Sequence, residues 1–383
     1  MQNDVFRVPC VIMRGGTSKA VFLKENDLPA DKTTRDKIIL AIFGSPDVRQ
    51  IDGLAGADPP TSKLAIIGPP SRPDADVDYT FGQVGIKDSL IDYSGNCGNI
   101  SSAVGPFAID ESIVRAKEPL TTVRIHNTNT GKILEAEVQV KGGKAVVKGS
   151  CKIDGVPGAA APILMNFAAT AGSSTGKLLP TGNVVDTVQT SKGPIEVSMV
   201  DLSNPCLFVR AKDMGMKGTE TPAEIDGNKD LLAYLEEIRA KCAVIIGKAK
   251  SEEEATKLSP AFPMIAFVAE SQDYVDFTTG NTIKKSDVDF VSRIMFMQVL
   301  HKTYPGTGTA CTGAAAKIPG TIVHQCIPHI DSIETVRIGH PAGVIPVGAA
   351  VKDGEVQKAS IERTARRLME GYVFVEADRI YGA

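Results

Sequence analysis

Two segments of this 383-residue sequence constrain its fold more than any other part of it. Each places a cysteine among several glycines and continues as a run of small and apolar residues, at positions 92–109 and 305–320. A helix made of such residues needs close neighbours on all sides, because it offers no charged face to water. The two segments therefore predict two similar domains, each built around one central buried helix.

The remaining sequence mixes strand-like and helical patterns without a strict alternation. Runs rich in Val and Ile, separated by Gly, Pro and Asp, predict many strands, several of them spaced as hairpins. Helical periodicity is clearest at Thr34–Phe43, Leu231–Lys241 and Asp287–Leu300. This mixture favours an α+β fold over a doubly wound parallel sheet.

The length of the chain indicates two domains, since one hydrophobic core rarely serves so many residues. We place the N-terminal domain at residues 1–185, with its central helix after Cys97. The C-terminal domain follows at residues 186–354, with its central helix after Cys311. The final residues, from about 355 to 383, are free in this scheme to return to the first domain.

Composition limits the partners that the chain can take. A net charge of −3 and a pI of about 6.0 give no electrostatic reason to expect nucleic acid or an acidic membrane surface. No apolar run reaches the roughly 18–20 residues that span a bilayer, and residues 1–11 lack the pattern of a secretory signal. We therefore expect a cytoplasmic protein. Seven cysteines without a C-x-x-C pair, and five scattered histidines, predict no metal site.

The first cysteine segment has the pattern of an activated thiol. Gly95 and Gly98 flank Asn96 and Cys97, which predicts an unusual backbone conformation there. A helix is expected to begin near Asn99, and its first N–H groups have no partners within the helix. Those donors and the helix dipole favour a thiolate, and the N–H groups of Gly98 and Asn99 are placed to hold a carboxylate.

The second segment repeats this arrangement around Cys311, with Thr312 and Gly313 supplying the N–H groups. The alternative is that both cysteines are small buried residues that precede small-residue helices. Local chemistry leaves these two interpretations open.

Other candidates lie outside the two segments. Thr17 and Ser18 follow the first strand in a Gly-rich turn, which is either an anion-binding nest or an ordinary turn. Lys63 stands at the start of an apolar strand, as a fixed cation in a cleft or as a solvated strand end. His301 follows the predicted helix Asp287–Leu300, as a carboxylate ligand, a proton relay or a helix cap.

A set of short motifs, spread from residue 8 to residue 343, is shared with a known family. The motifs are Val8–Lys19, Gly44–Asp47, Gln50–Asp58, Thr61–Lys63, Ser94–Ser101, Asn204-Pro205, Phe296–Lys302 and His340–Gly343. In this combination the sequence resembles the PrpF family, that of the methylitaconate Δ-isomerases and the 2-methylaconitate cis–trans isomerases.

The resemblance implies the fold of diaminopimelate epimerase, in which two similar domains, each a curved sheet around a central helix, enclose the active site. It implies no metal and no organic cofactor, and a homodimer or homotetramer. By motif match, Cys97 is the catalytic acid/base, Lys63 is its partner, and Ser18 and His301 fall on further active-site positions. The resemblance leaves the role of Cys311 open, because that position is the second acid/base only in two-cysteine epimerases.

The function that the resemblance implies is an allylic proton shift in a small unsaturated dicarboxylate, 3-methylitaconate to 2,3-dimethylmaleate. One cysteine suffices, since a proton can leave one carbon and return to another on the same face. The alternatives are a 2-methylaconitate cis–trans isomerase or a 4-oxalomesaconate tautomerase. A non-catalytic accessory protein that binds a dicarboxylate, or an amino-acid epimerase, are further alternatives.

Overall fold

The computed structural model describes residues 4–381. Its helices are Lys32–Phe43 (α1), Gly98–Asp110 (α2), Pro222–Asp226 (α3), Lys229–Ile245 (α4), Glu252–Leu258 (α5), Gly306–Lys317 (α6), Ile322–Gln325 (α7) and Ala377–Tyr381 (α8). Short 3₁₀ turns lie at Glu25–Asp27, Pro59–Thr61, Ala168–Thr170, Ala211–Met214, Lys285–Asp287 and Ile330–Ser332. Of the long predicted helices, Thr34–Phe43 and Leu231–Lys241 are confirmed as parts of α1 and α4.

The strands make up most of the ordered structure. They are Val5–Gly15 (β1), Ser18–Lys24 (β2), Lys63–Gly68 (β3), Val77–Val84 (β4), Ile91–Asp92 (β5), Leu120–Asn127 (β6), Lys132–Lys141 (β7), Lys144–Ala145 (β8), Ile163–Asn166 (β9), Asp186–Thr190 (β10), Gly193–Leu202 (β11), Asn204–Arg210 (β12), Met264–Glu270 (β13), Tyr274–Val275 (β14), Thr282–Ile283 (β15), Phe290–Phe296 (β16), Val299–Leu300 (β17), Thr335–His340 (β18), Gly343–Lys352 (β19), Glu355–Arg363 (β20) and Ala365–Glu376 (β21). Antiparallel and parallel pairs are mixed, as in β1–β2 and β2–β3, so the prediction of an α+β fold is confirmed.

Helix α2 is the centre of the first unit, which comprises β1 to β9 together with β21. Its residues from Gly98 to Ile109 are buried, and it packs against strands on several sides, among them β1, β6, β7 and β21. Ile100, Val104 and Phe107 are at most 1% exposed. A helix of small and apolar residues is stable there because the strands remove its whole circumference from water. We call this part of the molecule the α2 unit.

Helix α6 occupies the same place in the second unit, which comprises β10 to β20. Residues Gly306 to Ala316 are buried, and the helix packs against β11, β12, β18, β19 and β20. Its glycines serve close packing, because a Cβ on Gly313 would lie 2.8 Å from the Val347 side chain. We call this part the α6 unit. The prediction of two similar domains around two central helices is thereby confirmed.

The two units are joined by strand pairs as well as by the chain. Strand β20 pairs with β19 of the α6 unit and with β9 of the α2 unit. Strand β21 then runs antiparallel to β1 along nearly the whole of its length. The C-terminal strand therefore completes the sheet around α2, while the exact domain boundaries at residues 185 and 354 stay predictions.

The helix predicted at Asp287–Leu300 is wrong. The structure has a 3₁₀ turn that ends at Asp287, followed by strands β16 and β17. All seven residues of β16 are buried, because β16 lies between β13 on one side and β18 on the other and is covered on both faces. A strand buried on both faces shows no alternation of polar and apolar residues, so its apolar spacing imitated a helix.

No helix within residues 4–381 is both long enough and apolar enough to cross a membrane.

Candidate active site

Cys97 lies at the junction between an extended segment and helix α2. It is the N-cap residue, with φ −117° and ψ 100°, and the first residue of the helix is Gly98. No side chain caps this end of the helix in the described chain, so its first N–H groups are free to meet an anion. The thiol of Cys97 therefore stands beside the positive end of the α2 dipole.

The glycines around Cys97 provide space rather than an unusual backbone. A Cβ on Gly98 would lie 2.6 Å from the backbone nitrogen of Thr307, and one on Gly306 would lie 2.7 Å from the carbonyl carbon of Gly98. The first residues of α2 and α6 thus touch directly. Both helix starts, each with free N–H groups, meet at the same point between the two units.

A small cavity lies where the two helices meet. It is lined by Cys97, Asn96, Asn99 and Lys63 from the α2 unit, and by Phe262, Met264, Phe296, His301, Pro305 and Thr307 from the α6 unit. The space inside it holds about one water molecule. Both units therefore build the cavity.

Lys63 is the cation of this cavity. It begins β3 and is 2% exposed, and its Nζ donates to Gln83 Oε1 at 2.9 Å. The Gln83 amide is itself held, because its nitrogen donates to the carbonyls of Pro59 and Ser62. The ammonium also lies 4.5 Å from the centre of the Phe296 ring. Its remaining N–H groups are available to a ligand.

Burial lowers the pKa of Lys63 from its usual value of 10.5. The negative charge of the Cys97 thiolate and its hydrogen bond, together with the charge of Asp58, raise the pKa of Lys63 again in part. The charge state of Lys63 is thus coupled to that of Cys97 within the cavity.

His301 lines the cavity as a neutral ring. Burial, with a smaller effect from the Lys63 charge, lowers the pKa of His301 to about 3. Nδ1 of the ring accepts a hydrogen bond from the N–H of Thr303 at 3.3 Å. The neutral ring then carries its hydrogen on Nε2, which makes it a donor. His301 follows strand β17, so its predicted place at the end of a helix is wrong.

Asn204 fixes the backbone just before the thiol. It begins β12 in the α6 unit, and its side-chain oxygen accepts from the N–H of Asn96 at 2.9 Å. Its side-chain nitrogen donates to the carbonyl of Asn96 at 2.5 Å and to the hydroxyl of Thr307 at 2.8 Å. One buried amide therefore links the residue before Cys97 to the start of α6.

The polar residues of the first Gly-rich turn lie next to the cavity rather than in its lining. Thr17 Oγ1 accepts hydrogen bonds from Asn99 Nδ2 at 3.0 Å and from Thr303 Oγ1 at 2.8 Å. Ser18 is 2% exposed, and its hydroxyl has no hydrogen-bond partner among residues 4–381. Asn99 therefore connects this turn to the cavity, because it donates to Thr17 and also lines the cavity.

The predicted arrangement around Cys311 is wrong. Helix α6 begins at Gly306, with Pro305 as its N-cap, so Cys311 lies in the middle of the helix and is fully buried. Its Sγ donates to the carbonyl of Val200 at 3.3 Å, and none of the cavity lining comes from it. The glycines before Cys311 have helical backbones and give α6 close neighbours, which made this part of the helix look like a loop.

Thr312 and Gly313 share that error. Their N–H groups lie within the helix and not at its start. The Thr312 hydroxyl bonds to the Tyr304 hydroxyl at 3.1 Å, and Gly313 packs against Val347. The residue that corresponds to Cys97 in the α6 unit is therefore Pro305, which cannot carry a proton.

Sequence reasoning missed several residues that shape the cavity, above all Gln83, Phe296, Pro305 and Thr307. Asn204 and Phe296 lie within motifs of the family resemblance, which was the available signal for them. Metal binding has no obvious site, since residues 4–381 hold no group of three His, Cys, Asp or Glu side chains able to share an ion. The absence of an organic cofactor stays a prediction.

Comparison with solved structures agrees with this architecture. A crystal structure of a methylitaconate-delta-isomerase matches with a TM-score of 0.82 at 70% identity, covering 100% of this chain and 98% of that one. A hydroxyproline epimerase from Agrobacterium vitis matches with a TM-score of 0.55 at 12% identity, over 97% of this chain and 92% of that one. The second likeness concerns the fold alone.

Sequence comparison extends over almost the whole chain. The chain is 70% identical over 378 residues to a 3-methylitaconate isomerase of Eubacterium barkeri. The alignment covers 99% of this chain and 100% of that protein. It is 39% identical over 390 residues to a 2-methyl-aconitate isomerase of Cupriavidus necator, with coverages of 97% and 98%. The predicted isomerase class is thereby confirmed. Since the family model described as PrpF protein also matches residues 5–376, the chain belongs to the PrpF family.

Proposed function

We propose that this chain is a cofactor-independent allylic isomerase that converts 3-methylitaconate to 2,3-dimethylmaleate, with Cys97 as acid and base. One observation carries the proposal: the lining of a cavity between two helix starts includes one thiol, Cys97, and one lysine, Lys63. The 70% identity to a 3-methylitaconate isomerase supports the choice of substrate.

The reaction begins with the Cys97 thiolate. It removes the proton from the carbon that bears both the methyl group and a carboxylate. The electron pair of that C–H bond then forms a new double bond to the neighbouring alkene carbon, as the original double bond opens toward the methylene carbon. The resulting anion is delocalised over the allylic carbons and the carboxylate. The Cys97 thiol then gives its proton to the former methylene carbon, which becomes a methyl group, and the thiolate is restored.

Stabilising the anion is the main burden, because a C–H beside an ionised carboxylate is very weakly acidic. Lys63 supplies a positive charge and spare N–H groups, and the neutral His301 supplies a further donor. The free N–H groups at the starts of α2 and α6 point to the same place. Fixed donors in a water-poor cavity stabilise developing charge much better than solvent does.

The second helix start explains why a proton shift is favoured over inversion of a centre. Inversion needs a proton donor on the face opposite the base, and Pro305 occupies that position in the α6 unit. Cys311, the other cysteine that the sequence placed there, is buried within α6. An amino-acid epimerase with two bases is therefore disfavoured by the cavity itself.

The alternatives within the same chemistry are 2-methylaconitate and 4-oxalomesaconate as substrates. The 39% identity to a 2-methyl-aconitate isomerase keeps the first of them open. A non-catalytic dicarboxylate-binding protein remains the alternative from another class. The cytoplasmic location and the homodimer or homotetramer also stay predictions.

The test is a substrate panel with the purified full chain in deuterated water, followed by proton NMR. The panel contains 3-methylitaconate, itaconate, 2-methylaconitate and 4-oxalomesaconate. We expect kcat/KM for 3-methylitaconate to exceed the others by roughly tenfold or more, since one methyl group in a fitted pocket discriminates to that extent. Faster turnover of another acid would reassign the substrate, and no turnover of any acid would refute the isomerase.

A further inference from the structure

A second cleft lies directly behind the cavity of Cys97. Its water-accessible space is about 70 Å³, and its lining includes Thr17, Thr303, Tyr304, His340 and Arg363. Thr17 and Thr303 are hydrogen-bonded to each other, and Thr17 also accepts from Asn99 of the cavity. Hydrogen-bonded side chains thus connect the lining of the cleft to the lining of the cavity.

Arg363 is the unusual residue of this cleft. It ends β20, is 3% exposed, and its Nε donates to Asn99 Oδ1 at 3.1 Å. Nη1 donates to the carbonyl of Glu362 at 2.9 Å. Nη2 is buried without a hydrogen-bond partner among residues 4–381, and no carboxylate there forms a salt bridge with Arg363. A guanidinium buried in this way is strongly destabilising unless an anion joins it.

Arg239 is an equally buried arginine whose charge is paired. It is also 3% exposed, but both Nε and Nη2 donate to the carboxylate of Glu236, each at 2.7 Å. Its Nη1 and Nη2 also reach backbone carbonyls, such as that of Ala255. Arg363 has no such paired carboxylate among residues 4–381, and its Nη2 has no hydrogen-bond partner there.

The acidic residues near the cleft do not replace the missing partner. The Asp154 carboxylate accepts the N–H of Val344 at 2.6 Å, and Glu362 is exposed. Lys152 adds a further positive charge to the lining. Burial lowers the pKa of Arg363 only to about 10, so the group is charged at neutral pH.

We propose that Arg363 and its cleft form a carboxylate-binding subsite. The carboxylate comes either from the substrate, whose other carboxylate lies at Lys63 and His301, or from a separate small acid. The first source rests on the proposed function. It is the one that the geometry favours, because Arg363 lines the cleft and donates directly to Asn99, which lines the cavity of Cys97. A carboxylate held there would also meet the hydroxyl of Thr17, which lines the cleft.

Calorimetric titration with unreactive acids tests this subsite without any turnover. Succinate carries two carboxylates on a four-carbon chain, and butyrate carries one. We expect Arg363→Gln to weaken succinate binding about ten- to a hundredfold, which is the usual loss for a hydrogen bond to a charged group. Arg366→Gln, which removes an exposed arginine three residues away, is the matched control and should leave the affinity unchanged.

The two sources give different results with butyrate. If the subsite takes the second carboxylate of the substrate, Arg363→Gln leaves the weaker butyrate binding as it is. If it takes a separate acid, butyrate binding is lost in that variant. Equal affinities of the wild type and Arg363→Gln for both acids, or no succinate binding by the wild type, would overturn the proposal.

Arg363→Lys keeps the test decisive if the glutamine variant does not fold. It retains the charge but loses the planar fork, so we expect a smaller loss of succinate affinity in the same direction. An unchanged affinity in a folded Arg363→Lys variant counts against the subsite. Because these titrations need no reaction, a failure of the subsite is distinguishable from a failure of the isomerase, which the substrate panel reports.

Discussion

The starts of helices α2 and α6 occupy corresponding places in the two units, yet they carry different chemistry. At α2 the N-cap is Cys97, backed by the ammonium of Lys63. At α6 the N-cap is Pro305, accompanied by the neutral His301 and the ring of Phe296. The same local geometry thus carries an ionisable thiol in one unit and a proline ring in the other. Both helices keep their free backbone donors, but only the N-cap of α2 has a side chain that can exchange a proton.

The difference between the two helix starts is tested most directly by changing Cys97 and Cys311 to serine in separate variants. We expect Cys97→Ser to lower kcat by about 10²–10⁴-fold, because general acid–base catalysis contributes that much. Cys311→Ser should retain kcat within about threefold, since Cys311 lies inside α6 and only donates to the carbonyl of Val200. Initial rates by proton NMR, with circular dichroism to verify the fold, give the result. Near-normal turnover of Cys97→Ser would contradict the assignment.

Lys63 of the α2 unit and Lys317 of the α6 unit allow a second comparison. Lys63→Met should lower kcat by about 10²–10³-fold, through loss of charge stabilisation in the cavity. The same change should leave the free energy of unfolding equal or about 1 kcal/mol higher, because an ammonium without a carboxylate is costly to bury.

Lys317 in the α6 unit is the matched control for Lys63. Its ammonium donates to the carbonyls of Ile330 and Ile333. Lys317→Met should therefore lower the free energy of unfolding by about 1–3 kcal/mol and leave kcat unchanged. Urea titration and initial rates separate the two patterns. If both lysines behaved alike, the distinction between the units would be lost.

Glycine-to-alanine changes test whether the contact between the helix starts matters for catalysis. Gly98→Ala and Gly306→Ala would each press a Cβ into the facing backbone, and we expect each to cost about 1–3 kcal/mol and to lower kcat. Gly313→Ala meets the Val347 side chain instead, inside the α6 unit. It should lose comparable stability while the kcat of the folded fraction is retained. A loss of kcat in all three variants would show that packing alone is responsible.

The last comparison concerns the dependence of stability on pH. Burial lowers the pKa of His301 and of His340 to about 3, whereas the unfolded chain protonates both below about 6.5. Unfolding therefore takes up protons between pH 6.5 and 3, so stability is lost as the pH falls, by at most about 1.4 kcal/mol per pH unit for each histidine. His340→Gln should reduce this slope, and His329→Asn, at an exposed position, should not. Urea titrations at pH 6.5, 5.5 and 4.5, as roughly spaced steps across this window, measure it.

Local patterns predicted the parts of the fold whose burial is one-sided. Helices α1 and α4 have one apolar face and were found, and strands such as β1 and β7 were found from their composition. Strand β16 and the first turns of α6 are covered on every side, and there periodicity and glycine content misled. At a position covered on every side, the residue type depends on the space that neighbouring groups leave more than on the local backbone conformation.

Local chemistry marked Cys97 and Lys63 as candidates but left their roles open. The family motifs then singled them out, although their catalytic roles stay predictions. Asn204 and Arg363 act on residues 108 and 264 positions away in sequence, and no local pattern encodes such a contact. Their importance becomes visible only when the fold brings the two units together.

The bonds between Asn204 and Asn96 have a consequence for the catalytic cycle. Residues of both units line the cavity, so we expect the units to move apart when a six-carbon acid enters. Such a movement would break the hydrogen bonds between Asn204 and Asn96 and would separate the two helix starts. The arrangement around Cys97 would then form anew around each substrate, and the rate of opening and closing would set an upper limit on turnover.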